Sequence, residues 1–384
     1  MQGNRNPTRF SEMAQQDLRR KRQIRSWLLL ALMLIVVFAG ISLVRRLGSR
    51  NEVTVNRLPC SADQDVTIFG DQLLYYDGQS IQCLTTGGSI RWTFPVGTGA
   101  RFSVSETNLV IWSGTQLFIV DRNGNPTYNE NMASPVQFAR IGSRYCIVVV
   151  GEETDPELIV KNLDGTQIDS ESKTFGSRMP VDAGFFGEGD QYMWTLSLDV
   201  YGVAINSVLN TFQIAKMNNG LVNLGEYLAY KVLYEDGRLR VFTTQQMYTY
   251  DYKGAQDVSR TQLVYGWELI DSYIPPRGAG SMLLAPTSQS GNMTITELRL
   301  LVDTLDRRYT LPTACVGAGV NGQNLYAISK DYLFHARVDT QRFYGYPLSL
   351  PDHRTVNSVL GLTASGDKAI VFSGDQVFAV SLPR

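Results

Sequence analysis

The chain has 384 residues, of which 43% are hydrophobic and 18% are charged, so neither wholesale disorder nor a coiled coil fits the composition. Residues 1–26 carry seven Lys or Arg and two acids, whereas residues 45–384 carry 28 basic and 34 acidic residues. This acidic balance leaves no electrostatic footprint for nucleic acid. Two histidines are also too few for a multi-histidine metal site.

Residues 26–44, SWLLLALMLIVVFAGISLV, form a run of nineteen uncharged residues. As a helix this run would span roughly 28 Å, close to the thickness of the hydrocarbon core of a bilayer. A cleavable signal peptide is the alternative, but its hydrophobic region is usually shorter, about 7–15 residues. The sequence therefore predicts one transmembrane α-helix that acts as an uncleaved signal anchor.

Basic residues before this span determine the predicted orientation. Five Lys or Arg residues lie between positions 19 and 25, and such an excess favours retention of that side in the cytoplasm. We therefore predict four segments in a single-pass protein of the cell membrane: a basic cytoplasmic tail at 1–25, the transmembrane helix at 26–44, a juxtamembrane linker at 45–51 and an extracytoplasmic domain at 52–384.

Short apolar runs joined by glycine turns fill the predicted extracytoplasmic domain. Three runs show this most clearly: LLYYDGQSIQCL at 73–84, LVIWSGTQLFIV at 109–120 and AIVFSGDQVFAV at 369–380. Each reads as two strands joined by a tight turn, in which glycine supplies the positive φ. A third strand follows, and it ends in another turn about ten residues after the first.

This hairpin unit recurs eight times, with anchors at positions 78, 114, 155, 210, 244, 294, 330 and 374. The mean spacing, about 42 residues, is typical of propeller blades with four strands. The sequence thus predicts an all-β fold, a β-propeller of about eight four-stranded blades. Seven blades remain possible because insertions in blades four and six blur the count, and two consecutive β-sandwiches are a less favoured alternative.

Residues 52–57, EVTVNR, resemble a strand that has no partner in the repeats, and the last repeat lacks its outermost strand. We expect this segment to complete the last blade and so to close the ring.

Two stretches resemble the repeat of a known superfamily. They are GTQLFIVDRNG at 114–124 and LTTGGSIRWTF at 84–94, and they are similar to repeats of the pyrroloquinoline-quinone-like and WD40-like β-propellers. The whole layout, with a basic tail, one span and a propeller, resembles an uncharacterised family of single-span, membrane-anchored propeller proteins of clostridial Gram-positive bacteria.

The quinoprotein dehydrogenases of this superfamily would imply an enzyme, with two adjacent cysteines, a calcium ion and a docking tryptophan in nearly every blade. Here the four cysteines are never adjacent, and only Trp92 stands at the docking position. We therefore predict no catalytic residue, no metal and no cofactor, and we expect Trp92 to pack between blades.

The cysteines at positions 60, 83, 146 and 315 would lie outside the cytoplasm, where disulfides are permitted. Cys83 and Cys146 sit among apolar strand residues, which indicates buried thiols. A bridge between Cys60 and Cys315 that staples the ring is a further hypothesis.

Aromatic residues near loops are the candidates for a binding face. Tyrosine and arginine are typical of interface hot spots, and we select Tyr265, Tyr273, Arg342, Tyr344 and Tyr346. The insertions around 186–208 and 272–292 are a second candidate region. The predicted function is a non-catalytic binding or scaffolding module at the cell envelope, with an envelope or membrane protein as partner. The alternative is an enzyme or a sensor with its site in the central channel.

Overall fold

A computed structural model describes residues 53–152, 155–171, 174–216, 219–290 and 294–383. The predicted cytoplasmic tail, transmembrane helix and linker lie outside these residues. Among the residues that are described, no helix is both long enough and apolar enough to cross a bilayer.

The described residues form eight antiparallel sheets of four strands each, which are the blades of a β-propeller. This confirms the prediction of eight blades and rules out both seven blades and a pair of sandwiches. The first four blades contain the following strands: β2 Asp65–Phe69, β3 Gln72–Tyr76, β4 Ser80–Thr85 and β5 Ile90–Pro95 in blade one; β6 Arg101–Val104, β7 Asn108–Ser113, β8 Gln116–Asp121 and β9 Pro126–Asn131 in blade two; β10 Val136–Ile141, β11 Tyr145–Glu152, β12 Asp155–Asn162 and β13 Gln167–Glu171 in blade three; β14 Met179–Phe186, β15 Tyr192–Asp199, β16 Asn206–Gln213 and β17 Asn219–Asn223 in blade four.

The second half of the chain repeats this order, and the first strand of the ring joins its last blade. The strands are β18 Ala229–Glu235, β19 Arg238–Thr243, β20 Gln246–Tyr250 and β21 Gln262–Leu263 in blade five; β22 Trp267–Tyr273, β23 Ser281–Pro286, β24 Ile295–Val302 and β25 Leu305–Cys315 in blade six; β26 Gly317–Asn321, β27 Asn324–Ile328, β28 Tyr332–Arg337 and β29 Tyr344–Pro347 in blade seven; β30 Ser358–Leu362, β31 Lys368–Ser373, β32 Gln376–Ser381 and β1 Val55–Ser61 in blade eight.

Helices are short connections in this fold. They are the α-helix α1 Thr287–Ser290 in blade six and the 3₁₀ helices Glu188–Asp190, Val258–Arg260 and Pro351–His353.

Turn chemistry explains why the predicted hairpins form. In blade one, Gly78 has φ +97°, and the Asp77 carboxylate accepts hydrogen bonds from the backbone N–H groups of Gln79 and Ser80. An Asp-Gly turn of this kind satisfies its own backbone donors and supplies the conformation that other residues avoid.

The core consists of eight hydrophobic clusters among the described residues, and each cluster lies between two neighbouring blades. The cluster between blades eight and one, which includes Leu58, Leu73 and Val377, completes the circle. Every sheet therefore buries both of its faces, which a single antiparallel sheet in solution cannot do.

The ring is closed by pairing between the two ends of the described chain. Strand β1 pairs with β32 in antiparallel register, so that Val55 lies opposite Val380 and Ser61 opposite Gln376. The predicted closure is confirmed, although the strand begins and ends later than residues 52–57. It extends to Ser61 through a break in register after Arg57, and this places Cys60 inside the strand.

Two sequence-based expectations were wrong in detail. The anchor at Asn210 is not a turn but a buried position within β16, because the hairpin of blade four turns at residues 200–205. The proposed bridge between Cys60 and Cys315 is also absent, since all four cysteines are free and buried. Cys60 packs between blades eight and one, whereas Cys315 packs between blades six and seven.

Candidate protein-binding face

The blade topology gives the ring two faces. The hairpins between second and third strands, together with the connections from one blade to the next, lie on one face, which we call the front face. The turns between first and second strands and between third and fourth strands lie on the other, the back face. The described chain begins at Val53 and ends at Pro383, and both residues lie at the back face of blade eight.

Exposed apolar side chains are concentrated at the front ends of blades four, five and six. Ten of the eighteen large hydrophobic residues that are exposed in the described chain lie there. We call these ten residues the apolar patch: Met179, Val181, Val200, Tyr201, Val203, Ile205, Leu228, Tyr230, Leu263 and Tyr265. Such a concentration on a folded domain is typical of an interaction surface.

The hairpin at residues 200–205 contributes the most exposed member of the apolar patch. Val203 is fully exposed, with a relative accessibility of 112%, and Tyr201 is 69% exposed. Polar contacts hold the base of this hairpin: the Tyr201 N–H donates to the Asp199 carboxylate, and the Asn206 amide donates to the carbonyl oxygen of Ala204. The apolar side chains therefore project from a braced turn.

Few charged side chains surround the apolar patch. In the described residues at these front ends, four acids and two bases are present: Arg178, Asp199, Glu226, Lys231, Glu268 and Glu297. This balance lacks the excess of lysine and arginine that an anionic lipid surface or a nucleic acid attracts. A protein surface with apolar and aromatic character is the better match.

The back face carries a cavity of about 670 Å³ at the mouth of the central channel. Residues of five blades line this cavity, and they include one from each of these blades: Glu106, Glu235, Asp271, Asn321 and Thr363. Burial raises the pKa of Asp271 to about 6, although its carboxylate accepts hydrogen bonds from the N–H groups of Val320 and Ser272, at 2.8 and 2.9 Å, which lower it.

Glu235, which lines the same cavity, is held by a buried arginine. Its Oε1 accepts a hydrogen bond from Arg240 Nη2 at 2.7 Å, and both side chains are 2% exposed. Arg240 Nη1 donates to Thr249 Oγ1 at 2.6 Å, and Glu235 Oε2 accepts the N–H of Gly280 in blade six. The side chains of Glu235, Arg240 and Thr249 thus bind one another, and the hydrogen bond from Gly280 to Glu235 links blade six to blade five.

The five residues selected from the sequence do not share one surface. Tyr265 lies on the front face and belongs to the apolar patch, whereas Tyr273 lies on the back face and lines the cavity. The other three lie at the outer edge of blade seven, where the Arg342 guanidinium stacks over the ring of Tyr344 at 5.2 Å. Tyr346 packs against the core between blades seven and eight. Their role in binding stays a prediction.

The most exposed member of the apolar patch, Val203, and the rest of its hairpin fall within the second candidate region, 186–208. Their signal in the sequence is the apolar run VYGVAI at 200–205, which interrupts the spacing of the other hairpins. In the described chain, no three His, Cys, Asp or Glu side chains are arranged to hold a metal ion. His335 is a packed strand residue whose ring stacks on that of Tyr326.

No family model matches this sequence. No curated protein matches it either. Solved structures with a similar arrangement include BamB from Moraxella catarrhalis, which is 10% identical, with a TM-score of 0.49 over 86% of this chain and 98% of that chain. BBS1N in complex with ARL6DN is 14% identical, with a TM-score of 0.46 over 85% and 92%. The WD40 domain of Neurospora crassa Pan2 is 6% identical, with a TM-score of 0.45 over 83% and 89%.

The strand order and the ring closure of the chain itself confirm the predicted β-propeller architecture.

Proposed function

We propose that this chain is a protein-binding or scaffolding module whose docking surface is the apolar patch. The observation that carries the proposal is the exposure of the braced hairpin at 200–205, where a fully exposed valine and a tyrosine project into solvent. Leaving such side chains in water is unfavourable, and a partner that covers them gains the free energy of their burial. Tyrosine is also among the residues that dominate binding energy at interfaces.

We further propose that the module is non-catalytic and is tethered by the helix at 26–44, with the propeller outside the cell and an envelope or membrane protein as its partner. The length of the uncharged run and the basic flank before it support this topology. The same layout supports kinship with the single-span propeller proteins of clostridial bacteria. An epitope tag at the C-terminus of the full chain tests the orientation, because antibody should bind it on intact cells. Binding only after permeabilisation would contradict the proposal.

Site-specific photo-crosslinking tests the docking surface. A photoreactive amino acid at Val203 of the full chain should give a discrete crosslinked product in cells, whereas the same group at Ile90 should not. Ile90 is a matched control because it is an exposed aliphatic residue, at 56%, on the outer strand of blade one. The product at position 203 should disappear when Tyr201 and Ile205 are both changed to serine. Equal crosslinking from both positions would refute the docking surface.

A second candidate function is an enzyme or a sensor with its site in the central channel. The cavity at the back face favours it, since ionisable groups from several blades converge there. A thermal-shift screen of the full chain against small molecules tests this candidate. A ligand that stabilises the wild type but not Asp271→Asn would support it, and a ligand effect that Asp271→Asn leaves unchanged would place the site elsewhere.

A further inference from the structure

Blade four and the connection that leads into it contain three buried polar atoms without a hydrogen-bond partner. They are Thr174 Oγ1, Thr195 Oγ1 and Asn210 Oδ1, and their residues are 6%, 1% and 3% exposed. Buried polar side chains in folded proteins are nearly always paired, with protein or with ordered water. Three orphaned atoms in neighbouring residues therefore require a common explanation.

The three residues lie together between blades three and four. Thr195 in β15 and Asn210 in β16 are directly opposite each other across the strand pair, so their side chains share one face of the sheet. Met193 and Phe212 are the next pair on that face, two residues from Thr195 and Asn210, and they pack against the core of blade three. Thr174 belongs to the connection from blade three, and the Nδ2 of Asn210 donates to its carbonyl oxygen at 3.3 Å.

That last contact determines how the Asn210 amide is oriented. Because Nδ2 must face the carbonyl oxygen of Thr174, Oδ1 is turned away from it and needs a donor. The two threonine hydroxyls can each donate and accept. A molecule that donates to Oδ1 and also bonds to both hydroxyls would satisfy all three atoms, and water has this combination of donors and acceptors.

We propose that an ordered water molecule is bound between blades three and four, where it bridges Thr174 Oγ1, Thr195 Oγ1 and Asn210 Oδ1. The site is buried and polar, since its three residues are at most 6% exposed. It lies in the two strands that carry the hairpin of the apolar patch, and the same connection leads into Met179, which is a patch residue. The water therefore forms part of the support beneath the proposed docking surface, although its presence does not depend on that function.

The sign of a stability change tests this proposal. Thr195→Val keeps the shape of the side chain and removes only the hydroxyl. If the hydroxyl is bound to water, the variant loses a buried hydrogen bond and the Tm of the full chain in detergent should fall. If the site is dry, the variant removes an orphaned polar atom and the Tm should rise. Thr174→Val should also lower the Tm, and the double variant should fall by less than the sum of the two, because both hydroxyls bind the same molecule.

Thr211→Val is the matched control. Thr211 follows Asn210 in β16, so its side chain lies on the opposite face of the sheet, where its hydroxyl accepts a hydrogen bond from the N–H of Gly220 at 3.2 Å. The Tm of Thr211→Val should therefore fall whether or not the inter-blade site contains water. A crystal structure at a resolution that shows ordered water gives an independent measure: density within hydrogen-bond distance of all three atoms is expected. An empty site, or a higher Tm for Thr195→Val while Thr211→Val is destabilised, would overturn the proposal.

Discussion

The indole Nε1 of Trp92 donates a hydrogen bond to the carbonyl oxygen of Arg122, 3.0 Å away, and so joins the outermost strand of blade one to blade two. The ring lies against Gly124, where an added Cβ would come within 2.7 Å of it. This confirms that Trp92 packs between blades. Tyr128 lies against Gly165 of blade three in the same way, and the Lys161 ammonium binds Glu130 beside it at 2.7 Å.

Replacement of Gly124 by alanine should therefore weaken the junction between blades one and two. Gly124 has φ +86° and Gly78 has φ +97°, but an added Cβ at Gly78 would meet no atom within 4 Å. Gly78→Ala thus reports the cost of backbone strain alone, whereas Gly124→Ala must also displace the indole. We expect Gly124→Ala to lose about 1–3 kcal/mol more in the free energy of unfolding than Gly78→Ala, measured by urea titration. Equal losses would show that the contact between Trp92 and Gly124 contributes nothing to stability.

The buried ion pair between Glu235 and Arg240 should be far more sensitive than an exposed one. Glu235→Gln leaves the buried arginine with only the more exposed Asp303 carboxylate, 3.9 Å from its Nη2, as a counter-charge, and we expect a loss of about 3–5 kcal/mol in the free energy of unfolding. The exposed pair of Arg337 and Asp339, with side chains 57% and 64% accessible, is the control. Asp339→Asn should change stability by less than about 1 kcal/mol. A small effect of Glu235→Gln would mean that the guanidinium reaches water.

Stability should depend on pH through Asp271. Its folded pKa, about 6, lies above that of an unfolded aspartate, so between roughly pH 4 and pH 6 the folded state binds more protons than the unfolded state. The ionised carboxylate therefore destabilises the fold fully above pH 6, and this penalty is relieved as the pH falls towards 4.

Asp271→Asn removes this titration. As the pH falls from 7 to 4, the free energy of unfolding of the wild type should therefore increase by up to about 3 kcal/mol relative to that of Asp271→Asn. Urea titrations at several pH values measure it. Other carboxylates titrate equally in both proteins, so a difference that does not vary with pH would show that Asp271 titrates normally.

All four cysteines should behave as unreactive thiols in the folded protein. Burial raises the pKa of Cys60 and Cys83 to about 11 and that of Cys146 and Cys315 to about 12. Since the thiolate is the reactive form, a thiol reagent at pH 8 should label almost none of them in the native chain and all four in urea. Fewer than four labelled thiols in urea without reductant would reveal a disulfide.

Local chemistry explains why much of the fold was predictable. Residues that are adjacent in sequence, such as Asp77 and Gly78, determine the hairpins, and the repetition of these turns indicates the number of blades. The closing strand was predictable because the N-terminal end of the propeller sequence has a strand without a partner and the last repeat lacks its outermost strand. Blade four is the exception: its hairpin turns at residues 200–205, so the regular spacing pointed instead to Asn210, which lies inside a strand.

The functional surfaces depended on contacts that no local pattern records. Trp92 and Arg122 are thirty residues apart, and the groups around the back cavity come from five blades, so only closure of the ring brings them together. The exposure of Val203, the orphaned atoms beside Asn210 and the separation of Tyr265 from Tyr273 likewise follow from which side of a sheet meets a neighbouring blade. The sequence alone determined the repeat, its turns and its closure, because these depend on neighbouring residues. The tertiary structure decided which side chains were left unburied or unpaired, because that depends on packing between blades.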